Sequence, residues 1–82
     1  MKDLIKKYVN MLKREDIVSF AKKKNLLLDK EELELIYNTI KNRYEDIYED
    51  GIKVINEYKN RLKKNTYDKL IEVYENYKKY YK

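Results

Sequence analysis

Residues 29–64 read DKEELELIYNTIKNRYEDIYEDGIKVINEYKNRLKK. Leu33, Ile36, Tyr37 and Ile40, then Tyr44, Ile47, Tyr48, Ile52, Ile55, Tyr58 and Leu62, recur at steps of three and four, the period of one helix face. At the start of the stretch, Asp29 followed by Glu32 is an Asp-x-x-Glu capping pattern. Glu31, Glu32 and Glu34 then fall in the first turn, where the backbone dipole favours acids. The stripe admits two readings. One is a continuous helix over 30–64, roughly 50 Å long at about 1.5 Å per residue. The other breaks the stripe into helices over about 30–42 and 46–64, with Asp46 and Glu49 as caps. Gly51 in mid-stripe and the rarity of uninterrupted helices of that length in small domains favour the break.

The flanking sequence has the same period. Leu4, Ile5, Tyr8, Val9, Met11 and Leu12 predict a helix over about 2–13, and Ile17, Val18, Phe20 and Ala21 one over about 15–24. Lys22, Lys23 and Lys24 suit the negative end of the second helix, and Asn25 suits a left-handed residue just beyond it. Leu26-Leu27-Leu28 is then a connector. Asn65 or Thr66 caps a last helix over about 66–81, whose final turn, 78–82, frays. The expected fold is all-α, a single small bundle of four to five helices forming one domain over 1–82. Only 24 residues are Leu, Ile, Val, Met or Ala, so tyrosines must join the core. Tyr8, Tyr37, Tyr58, Tyr67 and Tyr74 are the candidates, with rings buried and hydroxyls at the rim.

Composition excludes whole classes of chemistry. The 82 residues include no cysteine, histidine, tryptophan or proline and a single glycine. Disulfides, thiolate nucleophiles, zinc sites built on sulfur and imidazole general bases are therefore ruled out. Ser19 is the only serine and has no suitable base in its neighbourhood of sequence, and no glycine-rich loop can cradle a phosphate. The expectation is a non-enzymatic protein with no cofactor and no metal. The longest apolar run, Leu26–Leu28, is far short of the roughly 20 residues that span a bilayer, and charges stand where a signal peptide has its apolar segment. These features predict a soluble cytoplasmic protein.

The formal net charge of +5 conceals a pattern. Residues 1–28 carry eight bases and three acids, 29–50 three and eight, and 51–82 nine and four. The simple reading is an acidic central helix flanked by complementary neighbours; the functional one is a basic surface made by the two ends. A helix-turn-helix over 15–43 is disfavoured, because its second helix would present Asp29, Glu31, Glu32 and Glu34 to phosphates. The basic alternative lies around the later turn and tail, where Arg61, Lys63, Lys64, Lys69, Tyr77, Lys78, Lys79, Tyr80 and Tyr81 interleave cations with rings, as single-stranded nucleic-acid binders do. An EF-hand register from Asp46 matches at Asp50, Gly51 and Glu57 but fails at Tyr48, Lys53 and Val54, so calcium is not expected.

The middle of the chain resembles a family of small uncharacterised helical proteins of spore-forming, low-GC Gram-positive bacteria that includes YqfT. The resemblance rests on Asp16-Ile17-Val18, Ala21-Lys22, Leu28-Asp29-Lys30-Glu31 and Ile47-Tyr48-Glu49-Asp50, and covers residues 14–80 in general layout. It implies a bacterial cytosolic protein and brings no site residues with it. The functional expectation is a helical protein–protein interaction or regulatory module, its partner a protein or a further copy of the chain. The alternative is a nucleic-acid-binding protein using the basic, tyrosine-rich C-terminal half.

Overall fold

The computed structural model describes residues 2–80, and side chains within 6–76. Four α-helices follow in order: α1 (Lys2–Met11), α2 (Arg14–Lys23), α3 (Lys30–Glu57) and α4 (Lys64–Tyr80), with a 3₁₀ turn at Lys59–Arg61. No strand occurs among the described residues. The all-α bundle read from the apolar periodicity is the fold of the chain. α3 is its hub, packing against α1, α2, the 3₁₀ turn and α4.

The expected break in the long stripe is present, in a different form. Hydrogen bonding is helical from Lys30 to Glu57, but Arg43 (φ −130°, ψ 30°) and Asp50 (φ −156°, ψ 79°) leave helical geometry. A straight helix of 28 residues would extend about 42 Å, whereas the longest dimension of the molecule is 31 Å. The bends fold the later part of α3 back towards its start, so that Glu57 and Tyr58 reach Arg43. The cap is neither Asp46 nor Glu49. Asp50 accepts the Lys53 N–H at 3.2 Å, restarting the helix one residue before Gly51. The helix expected to continue to residue 64 ends at Glu57, because the 3₁₀ turn and an extended Leu62 (φ −115°, ψ 145°) intervene.

Arg43 holds the bend. Its Nε donates to Asp46 Oδ2 at 3.1 Å, and Nη1 and Nη2 donate to the two Glu57 oxygens, each at 3.0 Å. Nη1 also reaches the Tyr58 hydroxyl at 3.2 Å. A planar fork suits this geometry as a lysine would not. Gly51 serves the second bend in a way its place in the sequence only hinted at. It is buried, and a Cβ there would lie 2.6 Å from Cδ1 and Cζ of Tyr74, so α4 crosses the bend with its ring against bare backbone.

Helix ends follow local chemistry. The N–H of Leu26 donates to the Ala21 carbonyl at 2.8 Å and that of Asn25 to Lys22 at 3.0 Å, with Asn25 left-handed at φ 57°. This is a Schellman motif, and the buried Leu26 and Ala21 supply its apolar contact. α1 has no base in its own last turn; Lys41 of α3 supplies one by donating to the Asn10 carbonyl at 3.1 Å. Among the described residues the buried apolar set is small: Val9, Ile17, Ala21, Leu26 and Val54. Tyr37, Tyr58, Tyr67 and Tyr74 are half-buried as expected. Tyr8 is not a core residue; it is 66% exposed, because α1 turns Val9 rather than Tyr8 inward.

Candidate functional site

Of the residues expected to form a nucleic-acid surface, Lys63, Lys64 and Lys69 make ion pairs at the protein surface, and the Lys64 side chain remains 90% exposed. Lys63 Nζ lies 3.2 Å from Glu32 Oε1 and 3.8 Å from Asp29 Oδ2, and donates to the Leu27 carbonyl at 3.4 Å. Lys64 pairs with Asp68 at 3.1 Å and Lys69 with Glu72 at 3.4 Å. Arg61 is exposed and lines a polar cleft of about 580 Å³ between the first half of α3 and the 3₁₀ turn. The side chains of Tyr77, Lys78, Lys79 and Tyr80, and Tyr81 entirely, lie outside the described residues.

Ion pairs join the oppositely charged thirds of the chain. The basic N-terminal third meets the acidic middle where Arg14 forks onto Glu34, with its Nη2 arm at 2.9 Å and its guanidinium 4.2 Å from the centre of the Tyr37 ring. The basic C-terminal third meets the same middle through Lys63. Hydrogen bonding to Arg14 holds the Glu34 carboxyl below its usual range, and Arg43 does the same for Glu57.

Glu32 is the residue that the sequence most undersold. It forms the expected capping box, with Asp29 accepting the Glu32 N–H at 2.8 Å. Yet it is only 2% exposed, where a first-turn acid is expected to face water. Its Oε2 accepts the Lys63 N–H at 2.9 Å, so one carboxylate joins the start of α3 to the residue preceding α4. Burial pushes its pKa up; the Lys63 N–H, Thr66, the Lys63 ammonium and the Asp29 N–H together outweigh burial and hold it below the usual range. Thr66 is fully buried beside it, its hydroxyl near enough to favour the carboxylate though not aligned in a full hydrogen bond. These groups build a joint between α3 and α4, in which every polar contact of Glu32 is a donor that favours its anion.

The carboxylates of the EF-hand-like register are likewise engaged in the fold: Asp46 and Glu57 on Arg43, and Asp50 on the Lys53 N–H. Among the described residues, no helix is long and apolar enough to cross a membrane.

The most distinctive open surface is an apolar groove of about 360 Å³ where α2, α3 and α4 meet. It is lined by Ile17, Phe20 and Ala21 of α2, Ile36 and Ile40 of α3, and Leu70 and Val73 of α4. Leu12, Leu26 and Leu28 of the connecting segments, with Asp16, Lys24 and Lys69, also line it. Phe20 remains 48% exposed. Periodicity placed Phe20 on the apolar side of its helix; it carried no signal that the neighbouring helices leave the ring partly uncovered. No protein-family model, curated protein or solved structure matches the chain. Fold and surface together describe a small all-α bundle with an open apolar groove.

Proposed function

We propose that this chain is a non-enzymatic helical interaction module that binds a protein partner through the groove between α2, α3 and α4. The observation that carries this reading is the groove itself, whose Phe20 is 48% exposed above a lining of aliphatic side chains. Aliphatic walls and a partly exposed aromatic are the features with which helical grooves accept the apolar face of a partner. Contacts within the bundle support the helices that line it: Arg43 and Asp50 hold the bends of α3, and Glu32 ties α3 to α4.

The test compares wild type with Phe20→Glu for binding of an apolar fluorescent dye, and for capture of proteins from lysate with and without nuclease. Dye uptake and capture that survive nuclease and disappear with Phe20→Glu are the expected results. Capture that nuclease abolishes, with salt-sensitive binding of mixed-sequence DNA or RNA, would instead establish the nucleic-acid reading.

A further inference from the structure

We infer that the polar cleft between the first half of α3 and the 3₁₀ turn is a second binding site, which takes the carboxylate end of a short peptide on Arg61 and Tyr58. The site is independent of the apolar groove. Asn38 and Asn42, which line the cleft, stand two residues on from Ile36 and Ile40, which line the groove. At about 100° per residue the two pairs lie on opposite sides of α3.

Two ties in the backbone register place Arg61. The Tyr58 hydroxyl meets Arg43 at one end of the cleft, and the Lys63 N–H meets Glu32 at the other. The chain from 58 to 63 therefore runs antiparallel to α3 from 43 to 32, with Arg61 between the two ties and lining the cleft. Arg43, Lys63 and Lys64 each pair with an acid, whereas among the described residues no carboxylate pairs with Arg61, whose fork of N–H groups is open to a ligand. The Tyr58 hydroxyl accepts from Arg43 Nη1 at 3.2 Å, so its own proton is directed elsewhere, and no described group accepts it. A guanidinium fork and a phenol O–H both donate, and together they suit an oxyanion.

Charge and room narrow that oxyanion. Arg43 is committed to Asp46 and Glu57, and Lys30 shares its end of the cleft with Glu31 and Glu34. One unpaired guanidinium among carboxylates suits a single negative charge, whereas a phosphate dianion would meet repulsion. The volume of about 580 Å³ exceeds what a lone carboxylate fills and falls in the range of sites for larger organic ligands. Asn38 and Asn42, exposed and four residues apart along α3, each offer an amide donor and acceptor to the peptide groups that precede the carboxylate.

The test is NMR titration of the full chain with acetylated trialanine ending in a free carboxylate, with the same peptide ending in an amide, with acetate and with inorganic phosphate. The free acid is expected to bind saturably, shifting the Arg61 Nε–H and the side-chain amides of Asn38 and Asn42, and the amidated peptide to bind roughly tenfold more weakly. Arg61→Gln should bring the free acid to the level of the amide, and Tyr58→Phe should weaken it roughly fivefold. Lys59→Gln, on the same turn but outside the cleft lining, should leave binding unchanged. Helicity and melting check each variant, and the comparison of acid with amide needs wild type alone. Absence of saturable shifts, equal binding of acid and amide, or equal losses in Lys59→Gln and Arg61→Gln would overturn the inference. Acetate that binds as well as the peptide, or phosphate that binds better, would overturn it too.

Discussion

Glu32→Gln isolates the joint between α3 and α4. The substitution keeps volume and one carbonyl oxygen, but removes the charge and sets an NH₂ group against one of two donors, the Lys63 N–H at 2.9 Å or Lys63 Nζ at 3.2 Å. A hydrogen bond to a charged group contributes about 1.5–3 kcal/mol, and the buried side chain has no water to compensate. With one contact retained in part, the expected loss is about 2–3 kcal/mol at pH 7. For a domain of this size that lowers Tm by roughly 10–20 °C. The sign of the pH dependence follows from the depressed pKa of Glu32 in the folded chain. The contribution is complete above the ordinary glutamate pKa of about 4.3 and is lost as pH falls through the lower folded value. The gap between wild type and Glu32→Gln should thus be constant from neutral pH to about 5 and close under more acid conditions. Glu34 and Glu57 also destabilise the acid form, but equally in both proteins, so the difference reports Glu32. Urea melts followed by circular dichroism at several pH values measure it. A loss below about 0.5 kcal/mol at pH 7, within the range of an ordinary surface substitution, or a gap that persists unchanged into acid, would refute the reasoning.

Two further outcomes follow from the backbone. Gly51→Ala gains about 1 kcal/mol of helix propensity but drives a methyl group into the Tyr74 ring, an overpacking that costs about 1–3 kcal/mol. Net destabilisation is expected in chemical denaturation, and it should reverse to a gain when Tyr74 is also replaced by leucine. Asn25→Val should cost about 1–2 kcal/mol, because a β-branched residue resists the left-handed conformation at φ 57°. Asn25→Gly should leave the melting temperature unchanged or raise it.

The elements themselves were legible because their causes are local. Apolar spacing, the Asp29 and Glu32 capping pair and the left-handed Asn25 involve residues within a turn of one another, and each behaves as the sequence implies. The interruption of the long stripe was legible in kind, since Gly51 marked a weak point. Its first position was legible too, since the bend at Arg43 falls between the helices read over 30–42 and 46–64; the second, at Asp50, was not, because Asp50 competes with Asp46 and Glu49 for a capping role that backbone geometry assigns. The placement of Tyr8 failed for a related reason: periodicity defines a helix stripe, and only the angle at which α1 meets α3 selects Val9 from that stripe for burial.

For function, the contrast is sharper. Absence of cysteine and histidine is a property of composition, so the chemistry it excludes is excluded in any fold. Whether a charge faces solvent or a partner depends on groups distant in the chain. The same lysines that suggested a basic surface meet Glu32, Asp68 and Glu72. An unremarkable Phe20 stands at an open groove because α2, α3 and α4 converge without covering it. Residue types and spacing dictate helices and forbid reactions, since both depend on covalent neighbours and on atoms present or missing. Burial, ion pairing and exposed apolar surface arise when helices meet, and in this protein those meetings turn a basic, tyrosine-rich sequence into a bundle with ion pairs between its helices and an apolar groove beside Phe20.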